Sequence, residues 1–358
     1  MACEHSTGQR TTYRFLLRLG LVTAGLTGAL LPGELLARAL APREPTGIAA
    51  IYRASRIPGV QYTLIPSLDT EALGADLRTN ALGFRGPRWH KRKAPGTLRI
   101  ALIGDSHAFG FGVPYDETTG EILAQILRQR LHRPVEVLDF AISGFNSRQQ
   151  LAVLRHLALG FAPDVVILVP CNNDDEPAAF ASLAGHLVPR ASDATAPALA
   201  SDTVRRSALV ALLRRATAQI VAKPLAEVPP PQAVRSADTP WMGPFDDGDV
   251  PERLDAAVGQ PLREMVRLSH RAGARVVLAP FAGPVEWRRL FRRVAREQGT
   301  ELVELLALFP EARSWDDLLV KFGLGWNPHL GPTAHRRWAY ALADVLDGAG
   351  RPATAPSS

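Results

Sequence analysis

Arg99-Ile-Ala-Leu-Ile-Gly-Asp-Ser-His-Ala-Phe-Gly-Phe-Gly112 is a short apolar run that stops at Gly104-Asp105-Ser106 and opens into a glycine-rich segment. A run of this length bounded by turn residues predicts a buried strand, and the serine falls just beyond its carboxyl end. In an open parallel sheet ligands bind in the crevice outside those ends, so a hydroxyl there is placed to react. Gly-Asp-Ser is also an ordinary turn in which Asp and Ser bond to nearby backbone. The rest of the chain has to decide between the two.

Downstream, strand and helix patterns alternate. A helix is predicted from about Glu117 to His132, a strand at Val135 to Phe140, a helix from Arg148 to Gly160 and a strand at Asp164 to Val169. After an interruption come a helix within Leu254 to Arg271, a strand at Ala274 to Pro280, a helix around Glu286 to Gln298 and a short strand near Glu301 to Leu305. This alternation predicts an α/β fold with a central parallel sheet covered on both faces, here a three-layer flavodoxin-like sheet. Between Asp174 and Pro251 the alternation stops, and the sequence turns to alanine, proline and serine around one helical stretch, Val204 to Ala222. Residues 175–250 therefore read as an insertion: a surface excursion first, with a lid or a membrane-surface helix as the other readings.

Three further stretches follow the serine in order: a glycine turn after the second strand, Ala141-Ile-Ser-Gly144-Phe-Asn-Ser147; an Asn pair after the third, Cys171-Asn172-Asn173-Asp174; and a late His329-Leu-Gly-Pro332 before a helix. Together they resemble the SGNH, or GDSL, hydrolase family. Thr79-Asn-Ala-Leu-Gly-Phe-Arg-Gly86 upstream, Phe109-Gly-Phe-Gly-Val-Pro114 and His329 to His335 are similar to its membrane-anchored branch. The match is specific from about Tyr62 to Phe180 and again from Ala274 to Leu346.

The resemblance implies an SGNH hydrolase fold and a serine nucleophile at Ser106, with His329 as general base and then general acid. The implied oxyanion donors are the backbone N–H of Ser106, the backbone N–H of Gly144 and the side-chain amide of Asn173. Glycine suits the second because the backbone must approach substrate closely. Asn173 is preferred to Asn172 because Asn173-Asp174 matches the family's Asn-Asp pair, although Cys171 stands where a glycine is usual. His107 and His335 are weaker candidates, the first for following the serine immediately and the second for lying within the succeeding helix. The family places the acid that orients the histidine three residues before it, and here that residue is Trp326, whose indole only donates. Either the enzyme is a Ser-His dyad, or Asn327, a backbone carbonyl, Asp316 or Asp317 takes the acid's place, or the site is degenerate. An aspartate at 326 is expected to restore activity if the backbone there follows the family's geometry.

The chain has 358 residues, 46% of them hydrophobic, enough for one large α/β core together with an anchor and an insertion. Its net charge of +6 comes almost wholly from arginine, since Lys91, Lys93, Lys223 and Lys321 are the only lysines. The arginines are scattered and not gathered in a stripe with aromatics, which argues against nucleic acid as a partner. Cys3 and Cys171 lie on opposite sides of an apolar N-terminal segment, so no disulfide is expected. No metal cluster, P-loop or dinucleotide fingerprint is present, and Gly110-Phe-Gly112 lacks the third glycine; no cofactor is expected.

Residues 1–14 are polar with Arg10 and Arg14, and 15–41 are mostly apolar. The uninterrupted core, Leu19 to Leu31, has the length of a signal-peptide h-region, and Ala39-Leu40-Ala41 offers a cleavage pattern. Glu34 and Arg38 make a poor cleavage region, which favours a retained transmembrane anchor. In both cases the preceding basic residues place the remainder outside the cytoplasm. Residues 42–96 read as a stalk that becomes an accessory hairpin, 97–348 as the hydrolase domain and 349–358 as a tail. The function expected is an exported, membrane-tethered serine esterase or deacylase acting on an acyl ester. The alternatives are an O-acyltransferase modifying a cell-surface glycan and a non-catalytic carbohydrate-binding or assembly protein, for which Trp326 is the best support.

Overall fold

The computed structural model describes residues 51–183, 186–189, 242 and 248–348, together with 28, 32 and 33. The expected anchor at 15–41, apart from residues 28, 32 and 33, the helical stretch Val204 to Ala222 and the tail at 349–358 lie outside the described residues. Among the described residues no helix is long and apolar enough to cross a membrane.

Four short strands come first: β1 (Tyr52–Ala54), β2 (Tyr62–Leu64), β3 (Asp69–Ala72) and β4 (Ala75–Arg78). The main domain then runs β5 (Leu98–Gly104), α1 (Ser106–Phe109), α2 (Thr119–Leu131), β6 (Val135–Asp139), α3 (Ser147–His156) and β7 (Val165–Val169). A hairpin follows, β8 (Phe180–Leu183) and β9 (His186–Pro189), and after the insertion come α4 (Gln260–Arg271), β10 (Arg275–Leu278), α5 (Val285–Gln298), β11 (Glu301–Leu302), α6 (Trp315–Phe322) and α7 (Pro332–Leu346).

The central sheet is wholly parallel, in the order β11-β10-β7-β5-β6. Counted along the sheet's own strands this is 2-1-3-4-5, the flavodoxin-like order. Every residue of β5 and β7 is buried, which is why β7, and β5 beyond Arg99, read as unbroken apolar runs and not as alternating ones. The strand order reverses between β5 and β7, and the crevice at that switch point is where Ser106 and Asn173 emerge.

Within residues 51–96 the N-terminal strands pack on the main domain. β1 pairs with β2 and β3 with β4, both antiparallel, and Tyr62, Leu64, Leu77 and Phe84 are buried in the common core. Two buried arginines fasten this segment to the domain. Arg99, in the first turn of β5, donates to the carbonyls of His90, Lys91 and Phe161 and pairs with Glu136. Arg85 does the equivalent work at the other end of the sheet. The hairpin β8–β9 went unread in the alanine-rich insertion; it is held by Phe180, whose ring lies 5.3 Å from Tyr52 and 5.0 Å from Tyr62. A strand only four residues long gives no periodic signal, and the partners that bury it are more than a hundred residues upstream.

Candidate active site

Ser106 opens α1, and Asp105 caps that turn by accepting the His107 N–H at 3.0 Å. The serine is buried, and its Oγ has two acceptors within reach: Nε2 of His329 at 2.8 Å and Oδ2 of Asp105 at 3.2 Å. His329 arrives on the loop between α6 and α7. Its Nδ1 bonds Oδ1 of Asn327. An amide oxygen only accepts, so the Nδ1 proton is the donor, and Nε2 is left with the lone pair that the serine hydroxyl needs. Ser106, His329 and Asn327 thus form one continuous relay.

The two aspartates offered for the acid's place fall away on geometry. Asp317 is engaged with Lys321 at 2.8 Å and with the Arg313 N–H at 2.9 Å, and Asp316 is exposed on the first turn of α6. The position three residues before the histidine is taken by Trp326, which is used for packing. A side chain at Gly74, in the β3–β4 turn, or at Gly112 would run into the Trp326 ring, so the indole wedges the histidine loop against the hairpin and the glycine loop. The Asn-Pro-His sequence shifts the orienting group to two residues before the histidine, while the side chain at 326 lies over Gly74 and Gly112.

The imidazole of His329 is held between two rings. Phe111 stacks on it with centroids 4.6 Å apart and planes at 19°, and His107 lies at 4.9 Å, itself stacked on Phe281 at 3.7 Å. This burial draws the pKa of His329 down to about 4. Burial, followed by the charge of His329, also lowers His107, while His335 is drawn down to about 3. His335 is not part of the relay; it accepts from Thr119 at the start of α2.

Gly144 and Asn173 follow the two neighbouring strands, β6 and β7. Gly144 has φ +79°, and a Cβ there would lie 2.9 Å from the Tyr62 hydroxyl, which donates to the Ser143 carbonyl; only glycine fits both the backbone and the space. The Asn turn is tied to the start of α3 by the Ser147 N–H to the Asp174 carbonyl and by Asn146 Nδ2 to the Glu176 carbonyl. Asn172 is exposed, whereas Asn173 is half-buried with Oδ1 covered and unpartnered. Neither the Gly144 N–H nor the Asn173 Nδ2 is engaged in a hydrogen bond within the described residues, so both remain free to donate.

Two carboxyl groups lie beneath the site. Burial raises Asp105 to about 6, its bonds from His107 and Ser106 opposing the rise, and burial together with Asp105 pushes Asp174 well up. Asp174 accepts from Gln150 Nε2 at 2.9 Å. Two carboxylates this deeply buried and coupled do not both ionise readily, which spares the serine a second negative charge. The thiol of Cys171 is also pushed far up by burial, so it offers no nucleophile. Among the described residues no group of His, Cys, Asp or Glu is arranged to hold a metal ion.

The model of the GDSL-like Lipase/Acylhydrolase family matches residues 102–337. Among solved structures, the chain is similar to TesA, with 17% identity over 70% of this chain and 97% of that chain and a TM-score of 0.36. It is similar to the psychrotrophic esterase EstA from Pseudoalteromonas sp., with 14% identity over 70% and 97% and a TM-score of 0.37. The lipase Lip_vut3 from a goat rumen metagenome gives 14% over 71% and 99%, with a TM-score of 0.37. The curated proteins contain no match. Matched by the family model over well more than half its length, the chain belongs to the GDSL-like lipase/acylhydrolase family and is an ester hydrolase.

Proposed function

We propose that the chain is a serine esterase that cleaves short O-acyl esters, O-acetyl groups on a glycan among them, through an acyl-serine intermediate. The observation that carries this is the relay Ser106 Oγ to His329 Nε2 and His329 Nδ1 to Asn327 Oδ1. In the first half-reaction Ser106 Oγ attacks the ester carbon while Nε2 takes its proton. The imidazolium so formed keeps its Nδ1–H on Asn327, and the new oxyanion accepts from the N–H groups of Ser106 and Gly144 and from Asn173 Nδ2. His329 then returns the proton to the departing alcohol. In the second half a water molecule loses its proton to Nε2, attacks the acyl-serine and releases the acid, restoring Ser106. A histidine with a depressed pKa is a weak base and a strong acid, so it favours expulsion of the alcohol over activation of the serine. The test is labelling of the purified full-length protein with an active-site fluorophosphonate. Attachment at Ser106 with loss of aryl acetate hydrolysis supports the reading, and a protein that is neither labelled nor active refutes it.

Export and tethering to a membrane are part of the same proposal, supported by Arg10 and Arg14 ahead of the apolar residues 15–41. An alkaline phosphatase fusion at Pro95 should be active in a bacterial host, with the fusion retained in the membrane fraction. An inactive fusion there, with a cytoplasmic reporter working at the same point, reverses the orientation.

A further inference from the structure

Arg85 is 3% exposed and carries its charge into the interior without a hydrogen-bonded carboxylate. Instead the guanidinium donates to four carbonyls: Nη1 to Phe109 at 3.1 Å and Gly110 at 2.8 Å, Nη2 to Val113 at 2.6 Å and Asp76 at 2.9 Å. Three of these, on Phe109, Gly110 and Val113, bracket Phe111-Gly112 from both sides. The fourth lies in β4, so the same group joins that loop to the accessory hairpin. The turn delivering Arg85 is itself fixed, because Asn80 Oδ1 accepts from the N–H groups of Leu82 and Phe84, and Phe84 is buried against Trp89 and Phe140.

What the bracketed loop presents is the ring of Phe111, lying flat on His329. The loop is also closed from the other side, since Leu324 and Trp326 lie against Gly112. We propose that Arg85 is a positioning residue for the general base: by fixing the carbonyls on either side of Phe111, it keeps that ring on His329 and so sets the histidine's orientation and its shielding from water. The accessory segment is on this account a working part of the site and not only a support for the domain. The assignment of His329 as the base rests on the esterase reading, but the clamp itself is a property of the resting protein.

Lysine at position 85 tests the idea, because it keeps the charge but cannot span four carbonyls as the planar guanidinium does. The titration of His329 is read by NMR, with its resonance assigned through His329→Gln. The other groups that face this imidazole are His107 from α1, His335 from α7 and, through Ser106, Asp105; none of them is altered. In Arg85→Lys, His329 should titrate about one pH unit higher than in the wild type, because water reaches the ring. Phe111→Leu should shift it in the same direction, and the double variant should add little to either. With an aryl acetate, kcat should fall about tenfold or more in Arg85→Lys while KM stays within about twofold.

An unchanged His329 titration in folded Arg85→Lys overturns the proposal. If Arg85→Lys does not fold, Phe111→Leu decides alone, since that ring is only half-buried, and an unchanged titration there overturns it equally. Fully additive shifts in the double variant also overturn it, because they make the two residues independent. A wild type that hydrolyses no ester but shows the expected shifts refutes the esterase reading and leaves the clamp standing.

Discussion

His329 donates from Nδ1 to Oδ1 of Asn327, two residues earlier across a proline. The bond fixes the tautomer that Ser106 needs, so the histidine is oriented although its partner carries no charge. An amide lacks the charge that would stabilise the imidazolium, and among the described residues no carboxylate is bonded to the ring. Burial between Phe111 and His107 then acts unopposed on its pKa.

Replacing Asn327 by Asp supplies the missing charge at the atom already in place. A hydrogen bond to an ionised acceptor is roughly twice as strong as a neutral one, and the tautomer is unchanged. Asn327→Asp should raise kcat for an aryl acetate about tenfold and move the acid limb of the pH profile upward. Asn327→Ala should lower kcat and leave KM nearly unaltered. The measurement is steady-state kinetics of the three proteins from pH 3.5 to 9.

The depressed histidine predicts an unusual pH range. The base is competent only when neutral, so activity is lost as pH falls through the folded pKa of about 4, well below the ordinary histidine value. The kcat/KM profile should therefore remain high at pH 5.5 and have its acid midpoint near 4. A midpoint near 6.5 would show that the ring is more hydrated than its burial implies.

For the oxyanion donors, Ser106→Ala should abolish acyl-enzyme formation. Asn173→Ala should lower kcat by about 100-fold, the usual effect of removing one donor, whereas Asn172→Ala, altering an exposed side chain, should be close to neutral. Comparing burst amplitude and turnover in the three variants separates loss of the nucleophile from loss of a donor.

Trp326→Asp should lose activity, contrary to what the family spacing suggests. The substitution removes the ring packed over Gly74 and Gly112, while Asn327 already occupies Nδ1 of His329. A fall in both melting temperature and kcat is expected, with no restoration at any pH.

Asp139 gives a stability prediction. It is buried at the end of β6, where its Oδ1 accepts the Ala141 N–H at 2.9 Å, and desolvation raises its pKa to about 7, with the charge of Arg85 opposing the rise. A carboxyl raised above its unfolded value binds its proton more tightly in the folded state, so that contribution is complete below about pH 4 and is lost as pH rises through about 7. Asp139→Asn keeps the acceptor for Ala141 and cannot ionise. Its melting temperature should match the wild type near pH 3 and exceed it at pH 8, by an amount corresponding to about 1 kcal/mol or more, as read by thermal denaturation across pH.

The sequence by itself determined the class of fold, because strands buried on both faces have to be apolar throughout and the helices between them carry a 3.6-residue stripe. β5, α2, β6, α3, β7, α4, β10 and α5 all lie where those patterns place them, within a few residues. Ser106, Gly144, Asn173 and His329 were named through the resemblance of their four blocks to a known family, each block being a short turn just past a strand or just before a helix. The orienting group was only narrowed, Asn327 standing beside a backbone carbonyl, Asp316 and Asp317 as one option among several. Its identity depends on how the loop Leu324 to His329 lies against Gly74 and Gly112, a packing between segments some 250 residues apart, and spacing along the chain counts Trp326 and not Asn327 as the neighbour of the imidazole. The same holds for Tyr62 and Arg85, which read as parts of an accessory segment until the fold brings one onto the Gly144 turn and the other onto the loop after Ser106. Buried hydrogen bonds to backbone carbonyls leave no pattern in a sequence; only the tertiary structure decides which carbonyls a buried guanidinium will meet.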